Sequence, residues 1–525
     1  MGSEIEWFIT AGQDGHYNDN FFNGVDPLTS FPDPLHRFER FWQECLHPQL
    51  IAKGIRFAPK GQSQVDTFLK NGDRFYLDTG GHVETGVREC ASAHRLVVCE
   101  KAAERAIEYA IKQANLLWDD TTLRSYKCNL DRRKDAYGTP KNPMGSHENY
   151  LVRLENALRF SDDLNTQLGL FLVSRILFTG AGWMDVKNEK FRFNISQRAL
   201  VVEQSVGEQT TNRRSVINTR DEPLAGPGFR RVHLIIGDAL LMETALFLKY
   251  GTTAKVVEAV FSGVPLNLPF GTLALSDTEK NQGVLPDIIK TFSADPSLRA
   301  AYKINGSTYT MIDIQEIYLP RIKRFWETER DMTPEDEKVF SLWEENIVAA
   351  KSPRPHEALS AVADWAAEML YIEMDMDRRG YQKPSDIIRK VRKDGATREI
   401  KADDHVEILN MEFRANNTNG LFRRLPSAIR ITTDKEIEEA MTKPEAARSK
   451  PRVEQLGIAE KMAQRTGKSV IVSMQWDQAA IKEEDPIGIL TRLREFKNPN
   501  PYSQELGEVS PAPPLTQPSI DPNSC

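Results

Sequence analysis

Hydrophobic and polar residues alternate with period two in several short stretches of the chain, which predicts half-buried strands. The clearest stretch is residues 3–9, where acidic and apolar side chains alternate through Glu4, Ile5, Glu6 and Trp7. Because successive side chains of a strand point to opposite sides, this strand should have one acidic face and one apolar face. Further strands are predicted over residues 74–78, 191–195 and 232–236.

Apolar residues at helical spacing predict helices in other parts of the chain. These cover residues 36–52, 91–118 and 160–178, and most of the region from about 285 to 425. Strands and helices are mixed without a regular βαβ alternation, which favours an α+β fold with a largely antiparallel sheet.

The pattern changes near residue 428, and we predict three parts. Residues 1–428 should form a large catalytic domain, 429–500 a small C-terminal domain and 501–525 a disordered tail. The last 25 residues contain six prolines and neither lysine nor arginine, a composition that cannot build a core.

Charge and composition narrow the possible partners and the cellular location. The 525 residues carry a formal charge of −7, without the basic surplus of a nucleic-acid-binding protein. The five cysteines include no Cys-x-x-Cys pair, which favours a reducing cytoplasm. The apolar run from Leu168 to Val173 is much shorter than the roughly 20 residues that a membrane span needs. We therefore expect a soluble cytoplasmic protein that binds neither nucleic acid nor membrane.

The acidic face of the first predicted strand is the first candidate for chemistry. Glu4 and Glu6 should lie about 7 Å apart on one side of the strand, where two carboxylates repel unless a cation is near. Carboxylate oxygens of this kind suit Mg²⁺, especially when phosphates complete its coordination. An ordinary solvent-exposed strand face is the alternative.

Three further polar clusters have similar chemistry. They are the Tyr76–Glu84 segment with Asp78 and His82 around two glycines, the segment from Gly145 through His147 to Tyr150, and the arginine-bearing segments 196–198, 218–223 and 230–233. A solvated turn, a structural histidine and surface ion pairs are their respective alternatives. Taken together, carboxylates for a metal and arginines for phosphate are what a nucleotide-dependent transfer at a carboxylate needs.

At these positions the sequence resembles the family of Pup ligase and depupylase, enzymes that attach and remove prokaryotic ubiquitin-like protein. The resemblance extends in order to about residue 480. The matching motifs are Gly2-Ser3-Glu4-Ile5-Glu6, Asn71 to Asp78, His82 to Glu84, His147 to Leu151, Ser196-Gln197-Arg198, Ile217 to Pro223, Arg230 to His233, Gly237-Asp238, Leu248 to Thr253 and Ile431 to Asp434.

The resemblance implies a large domain similar to glutamine synthetase, with a curved antiparallel sheet that cradles ATP (or ADP plus phosphate) and Mg²⁺, and a small C-terminal domain. By motif position, Glu4, Tyr76 and Glu84 match metal-binding residues, Asp78 matches the catalytic aspartate and Trp476 matches a residue that packs against the nucleotide. We add Glu6 and His147 as metal-binding candidates. From their charge and motif position, Arg198, Arg220 and His233 are expected to contact phosphate.

Departures from the family pattern put the substrate in question more than the reaction class. Val83 replaces a usual proline, Val87 stands where a nucleotide-contacting threonine is expected, and Leu224-Ala225-Gly226 follow the Asp-Glu-Pro motif. Our main prediction is an ATP- and Mg²⁺-dependent hydrolase of the depupylase/deamidase type, acting at a terminal Glu or Gln of a small disordered Pup-like modifier and its conjugates. The alternatives are a ligase that joins the modifier to lysine through a γ-glutamyl phosphate, and a catalytically weak binder of the modifier.

Overall fold

The computed structural model describes most of the chain up to residue 444 and a few segments beyond it. The described ranges are 1–12, 66–78, 82–117, 122–130, 143–153, 162–210, 213–220, 229–273, 283–393, 396–417, 420–425 and 428–444, with isolated residues between 453 and 465, and 470–474, 478–483 and 493–497. The predicted helix at 36–52, the residue Trp476 and the predicted tail lie outside these ranges.

The described strands, in chain order, are β1 (Gly2–Gly12), β2 (Asp66–Phe68), β3 (Arg74–Leu77), β4 (Val83–Val87), β5 (Thr122–Tyr126), β6 (Ser146–Arg153), β7 (Trp183–Lys187), β8 (Lys190–Asn194), β9 (Gln204–Gly207), β10 (Ser215–Asn218), β11 (Phe229–Leu234), β12 (Ala301–Ile304), β13 (Ser307–Thr310), β14 (Ile387–Lys393), β15 (Ala396–Lys401), β16 (Val470–Met474), β17 (Gln478–Glu483) and β18 (Leu493–Lys497). The described α-helices are α1 (Ala93–Leu117), α2 (Asp162–Ser174), α3 (Ile176–Thr179), α4 (Glu243–Val260), α5 (Leu285–Ser293), α6 (Met311–Glu329), α7 (Pro334–Ala350), α8 (Pro355–Leu359), α9 (Asp364–Arg379), α10 (Ala402–Arg414) and α11 (Asp434–Thr442). The predicted strands and the helices at 91–118 and 160–178 are present, the latter divided at Arg175 into α2 and α3.

One large sheet organises the described part of the molecule. Its strand order is β2-β3-β4-β1-β6-β11-β10-β9, and β5 pairs with the second half of β1. Neighbouring strands are antiparallel except β9 and β10, which are parallel. The expected α+β architecture with a largely antiparallel sheet is thereby confirmed, with this one parallel pair in addition.

The two faces of the sheet differ in polarity because side chains alternate along each strand. On β1, Ile5 and Trp7 are buried with Leu96 of α1 and Phe247 of α4 in one apolar cluster. Glu4 and Glu6 point to the opposite face. Helices therefore cover one face of the sheet, and the carboxylates of β1 lie on the other.

The region from 285 to 425 is mostly helical, as predicted. Two of its long helices begin with capping boxes, in which Thr310 and Asp313 start α6, and Thr333 and Asp336 start α7. The hairpins β12–β13 and β14–β15 interrupt the helical region. No helix in the described ranges has the length and apolar character required to cross a bilayer.

Helix α11, the first helix after the predicted domain boundary, packs on the large domain. Its Ile437, Ala440 and Met441 belong to the same apolar cluster as Leu96 of α1. Strands β16, β17 and β18 form a separate three-stranded sheet. The division at residue 429 remains a prediction.

Candidate functional site

Three neighbouring strands bring predicted site residues into one row across the sheet. In the antiparallel register, Tyr76 of β3 lies opposite Glu84 of β4, and Glu84 lies opposite Glu6 of β1. Asp78 directly follows β3, and its backbone N–H donates to the carbonyl of His82 at 2.9 Å. As a result, carboxylate oxygens of Glu6, Asp78 and Glu84 lie within 4.8 Å of one another.

A second cluster surrounds Glu4, which lies two residues before Glu6 on the same face of β1. The Nδ1 atom of His147 on β6 is 3.3 Å from a Glu4 carboxylate oxygen, and Nε2 of His233 on β11 is 3.6 Å from the same oxygen. The two imidazole rings meet edge to face with centroids 5.2 Å apart. Together with the first cluster, this gives a continuous acidic site with histidines on one side.

A glycine permits the close approach of β1 and the start of β6. A Cβ atom on Gly145 would lie 2.4 Å from Nε2 of His147 and 2.8 Å from Oε1 of Glu6. The backbone N–H of Glu6 donates to the Gly145 carbonyl at 3.0 Å. Any side chain at position 145 would therefore displace residues of both clusters.

Histidine contacts divide the carboxylates into two electrostatic types. Burial raises the pKa of Glu84 well above its ordinary value, and the nearby carboxylates of Glu4 and Glu6 raise it further. Burial opposes ionisation of Glu4 as well, but the hydrogen bond with His147 and the close approach of His233 hold its pKa well below the ordinary value.

The pKa values of Glu6 and Tyr76 also reflect the balance between burial and neighbouring groups. Burial of Glu6 is outweighed by its contact with His82, whose Nδ1 lies 2.5 Å from a Glu6 oxygen, so the pKa of Glu6 is lowered. Burial and the Glu84 carboxylate raise the pKa of Tyr76, which stays a neutral phenol. The site combines anionic carboxylate oxygens, a carboxyl of Glu84 that resists ionisation, and imidazole at its edge. This combination fits a divalent cation.

The three cationic residues predicted to contact phosphate are in different environments. His233 lies against Glu4, inside the second cluster. Arg198 is fully buried and donates to the carbonyls of Met144 and Ile235, and burial together with nearby Arg214 lowers its pKa to about 10. Arg220 is exposed just beyond β10. The structure therefore brings His233, but not the two arginines, into contact with Glu4.

Sequence reasoning did not assign roles to Arg231 and His82. Arg231 has Nη1 3.7 Å from a Glu4 oxygen and 3.2 Å from Oδ1 of Asn149. Its separation of two positions from His233 on a strand would have placed it on the same face. The contact of His82 with Glu6 joins residues 76 positions apart, which no local periodicity indicates.

The two valine departures lie outside the site. Val83 and Val87 are buried in the apolar cluster with Ile5 and Leu96, on the side of β4 opposite to Glu84. Their substitution therefore alters core packing, and the carboxylate arrangement is kept.

Comparison with known proteins gives a consistent result. A family model described as Pup-ligase protein matches residues 1–480. The Pup–protein ligase of Jonesia denitrificans is 31% identical over 371 residues, 70% of this chain and 74% of the relative. The corresponding ligase of Acidimicrobium ferrooxidans is 32% identical over 414 residues, 77% of this chain and 82% of the relative. The Pup deamidase/depupylase of Mycolicibacterium smegmatis is 35% identical over 309 residues, 58% of this chain and 57% of the relative.

Two solved structures have folds similar to that of this chain. The Pup ligase PafA in complex with Pup has a TM-score of 0.70 at 23% identity, covering 96% of this chain and 89% of that one. PafA in complex with ADP has a TM-score of 0.65 at 24% identity, covering 89% and 90%. The predicted fold class is thus confirmed by an independent structural likeness.

Proposed function

The chain belongs to the Pup-ligase protein family, and from that membership we propose that it is a nucleotide-dependent ligase. It would join the side-chain carboxylate of a terminal glutamate on a small Pup-like modifier to the amine of a lysine. The match over residues 1–480, with relatives named Pup–protein ligase at 31–32% identity over most of their length, carries this proposal. It replaces our main sequence-based prediction of a hydrolase, which the comparisons support less well.

The carboxylate clusters would hold the metal and orient the nucleotide. Glu4, Glu6 and Glu84, with Tyr76 and His147 at the edge, are the residues that we assign to Mg²⁺. A bound Mg²⁺ supplies positive charge beside the phosphoryl oxygens. Arg231 and His233 extend the site toward β10 and would offset charge on phosphate, together with Arg198 and Arg220. Trp476 remains predicted to pack against the nucleotide.

Asp78 is the residue to which we assign proton transfer. In the first step a γ-carboxylate oxygen of the modifier attacks the terminal phosphorus of ATP, and ADP leaves. In the second step the lysine nitrogen attacks the acyl carbon, and phosphate leaves with the bonding pair. The lysine must lose a proton before it can attack, and the half-buried carboxylate of Asp78 at the end of β3 would accept it.

Hydrolysis of the same bond is a second candidate, favoured by one observation. The deamidase/depupylase of Mycolicibacterium smegmatis is 35% identical over 309 residues. The same aspartate would then attack the amide carbonyl itself or activate water. The third candidate, a catalytically weak binder, loses its main support because Val83 and Val87 pack in the core.

One reconstitution separates ligation from hydrolysis. The purified chain is incubated with ATP, Mg²⁺, a lysine-bearing acceptor and a Pup-like modifier ending in glutamate. In parallel, it is incubated with a preformed conjugate and with a modifier ending in glutamine. A new conjugate, with ADP and phosphate released in equal amounts, supports the ligase. Release of modifier from the conjugate, or deamidation without ligation, supports the hydrolase, and no reaction in any mixture supports the binder.

Replacing Asp78 by Asn tests its assigned role. Asp78→Asn should lose about 10²- to 10⁴-fold in turnover, the usual contribution of a positioned general base, and should keep nucleotide binding. Glu4→Ala should instead weaken the metal-dependent binding of nucleotide. Asp377→Asn, the same change at an exposed position of α9, is the control. Full turnover by Asp78→Asn would show that the assignment is wrong.

A further inference from the structure

Lys249 of α4 lies behind the sheet, on the face opposite to the carboxylates. Its side chain is fully buried, and Nζ donates to Oγ of Ser146 at 2.9 Å and to the carbonyl of Asp238 at 3.0 Å. An oxygen of Glu148 lies 3.9 Å away. A buried ammonium is costly unless it is well paired, so a lysine at this position must be held by specific contacts.

The two acceptors of Lys249 lie at the start of one strand that carries a site histidine and in the segment after the other such strand. Ser146 begins β6 and directly precedes His147, and Asp238 follows β11, which carries His233. A Cβ atom on Gly237 would lie 2.7 Å from Nζ of Lys249 and 2.5 Å from the Ser146 carbonyl. The strand ends therefore converge on one ammonium, with no room for a side chain between them.

The Asp238 carboxylate extends this connection to a third segment. Its oxygens accept the backbone N–H groups of Ala181, Gln197 and Arg198 and the hydroxyl of Ser196 at 2.8–3.1 Å. The position of Asp238 thus fixes the backbone at Arg198 as well as the end of β11.

We propose that Lys249 is a positioning residue that sets the spacing of His147 and His233 around Glu4, and through it the affinity for a divalent cation. The inference rests on the metal role assigned above. Both imidazoles lie against one oxygen of Glu4, at 3.3 and 3.6 Å, so their positions determine where that carboxylate lies. Without the ammonium, the starts of β6 and of the segment after β11 lose their common donor and can move apart.

The test compares metal binding by wild type, Lys249→Met and Lys255→Met. Mn²⁺ alone is the probe, and its binding is measured by electron paramagnetic resonance. Lys249→Met should weaken binding about tenfold, the lower end of the range for residues that support metal ligands. The Mg²⁺ concentration for half-maximal ligation should rise by the same factor, and saturating Mg²⁺ should restore most of the rate.

Lys255 provides a matched control on the same helix. It is also buried, pairs with Asp336 and lies 3.5 Å over the ring of Trp326, away from the sheet. Lys255→Met should lower the melting temperature as Lys249→Met does and should keep wild-type Mn²⁺ affinity. A purely structural role for Lys249 would give the two variants the same affinity.

The outcomes separate this inference from the proposed function. Equal Mn²⁺ affinity in all three proteins overturns the inference and leaves the ligase proposal standing. A wild type that binds no Mn²⁺ overturns the metal assignment and the inference with it. If Lys249→Met does not fold, Ser146→Ala decides: it should weaken Mn²⁺ binding two- to threefold, and wild-type affinity would overturn the inference.

Discussion

Glu84 differs from Glu4 and Glu6 because burial and neighbouring carboxylates, and not histidine contacts, determine the direction of its pKa shift. Glu4 contacts His147 and His233, and Glu6 contacts His82, so both are held ionised. Glu84 is buried opposite Glu6, and its pKa is raised. Ionising Glu84 is therefore unfavourable in the folded protein, and a bound cation would offset that cost.

We predict that Glu84→Gln raises the melting temperature of the metal-free protein. A carboxyl whose folded-state pKa is raised contributes stability at low pH that is lost as pH rises toward that pKa, and glutamine does not titrate. The gain over wild type, measured in chelator, should therefore be larger at about pH 8 than at about pH 6.

Glu6→Gln is the control for this prediction and should have the opposite effect. Because the pKa of Glu6 is lowered, its ionised form stabilises the folded state above the unfolded pKa, and the amide loses that contribution. If both variants changed the melting temperature in the same direction, histidine contacts would not be what separates the pKa of Glu6 from that of Glu84.

At the scale of elements, α11 is attached to the sheet by hydrogen bonds, one of which comes from an arginine in a buried ion pair. Nη1 of Arg88 lies 2.7 Å from an Asp73 oxygen, and both side chains are almost fully buried. Nη2 of Arg88 and the side-chain amide of Asn71 both donate to the carbonyl of Ala440. The turn before β3 and the residue after β4 thus hold the C-terminal end of the helix.

Removing the cation of this pair should destabilise the protein strongly. Arg88→Met leaves Asp73 buried without its partner, which typically costs about 3–5 kcal/mol. Arg330→Met, which breaks an exposed pair with Glu258, should cost about 0–1 kcal/mol. Urea unfolding of both variants measures the difference, and a cost for Arg88→Met as small as that of the control would contradict the prediction.

Elements with strong local patterns were predictable from the sequence, and their partners were not. The alternation in β1 and the apolar stripe of α1 each follow from neighbouring residues. The contacts of α11 with Asn71 and Arg88 join residues more than 350 positions apart, which no local pattern indicates. The parallel pairing of β9 with β10 likewise depends on the whole sheet.

Some residues of the candidate site could likewise be predicted from the sequence, and others could not. Glu4 and Glu6 share a face by local alternation, and the structure brings Asp78 and Glu84 beside Glu6. His233, which is predicted to contact phosphate, lies against Glu4 in the structure. Its place depends on the register of β11 with β6 and of β6 with β1, which no short window of sequence contains.

At the scale of the whole molecule, the charge on the polar face of the sheet changes from negative at one edge to positive at the other. Carboxylates lie on β4, on the start of β1 and directly after β3, and cationic side chains lie on β11 and after β10. The formal charge of −7 conceals this separation. Such a surface can hold a cation at one end and the phosphates bound to it at the other.

Metal binding should consequently depend on pH. A proton on Glu84 competes with the cation, so Mg²⁺ should bind more tightly at about pH 8 than at about pH 6 and should release protons on binding. Calorimetry in two buffers of different ionisation enthalpy counts those protons. Glu84→Gln should abolish the dependence attributed to this group, and an affinity that is independent of pH in wild type would contradict the prediction.

The alternation of side chains along β1 limits which mutations the protein can accept during evolution. Substitution at a site-facing position leaves the core positions untouched, so residues such as Glu6 can be exchanged individually. Insertion of one residue between Ile5 and Glu6 would instead move every later side chain of the strand to the other face, placing Trp7 among the carboxylates and Glu6 in the core. An insertion scan should therefore show β1 to be intolerant of length change, so that new specificities would have to arise by exchange within the strand and by growth of the loops around it.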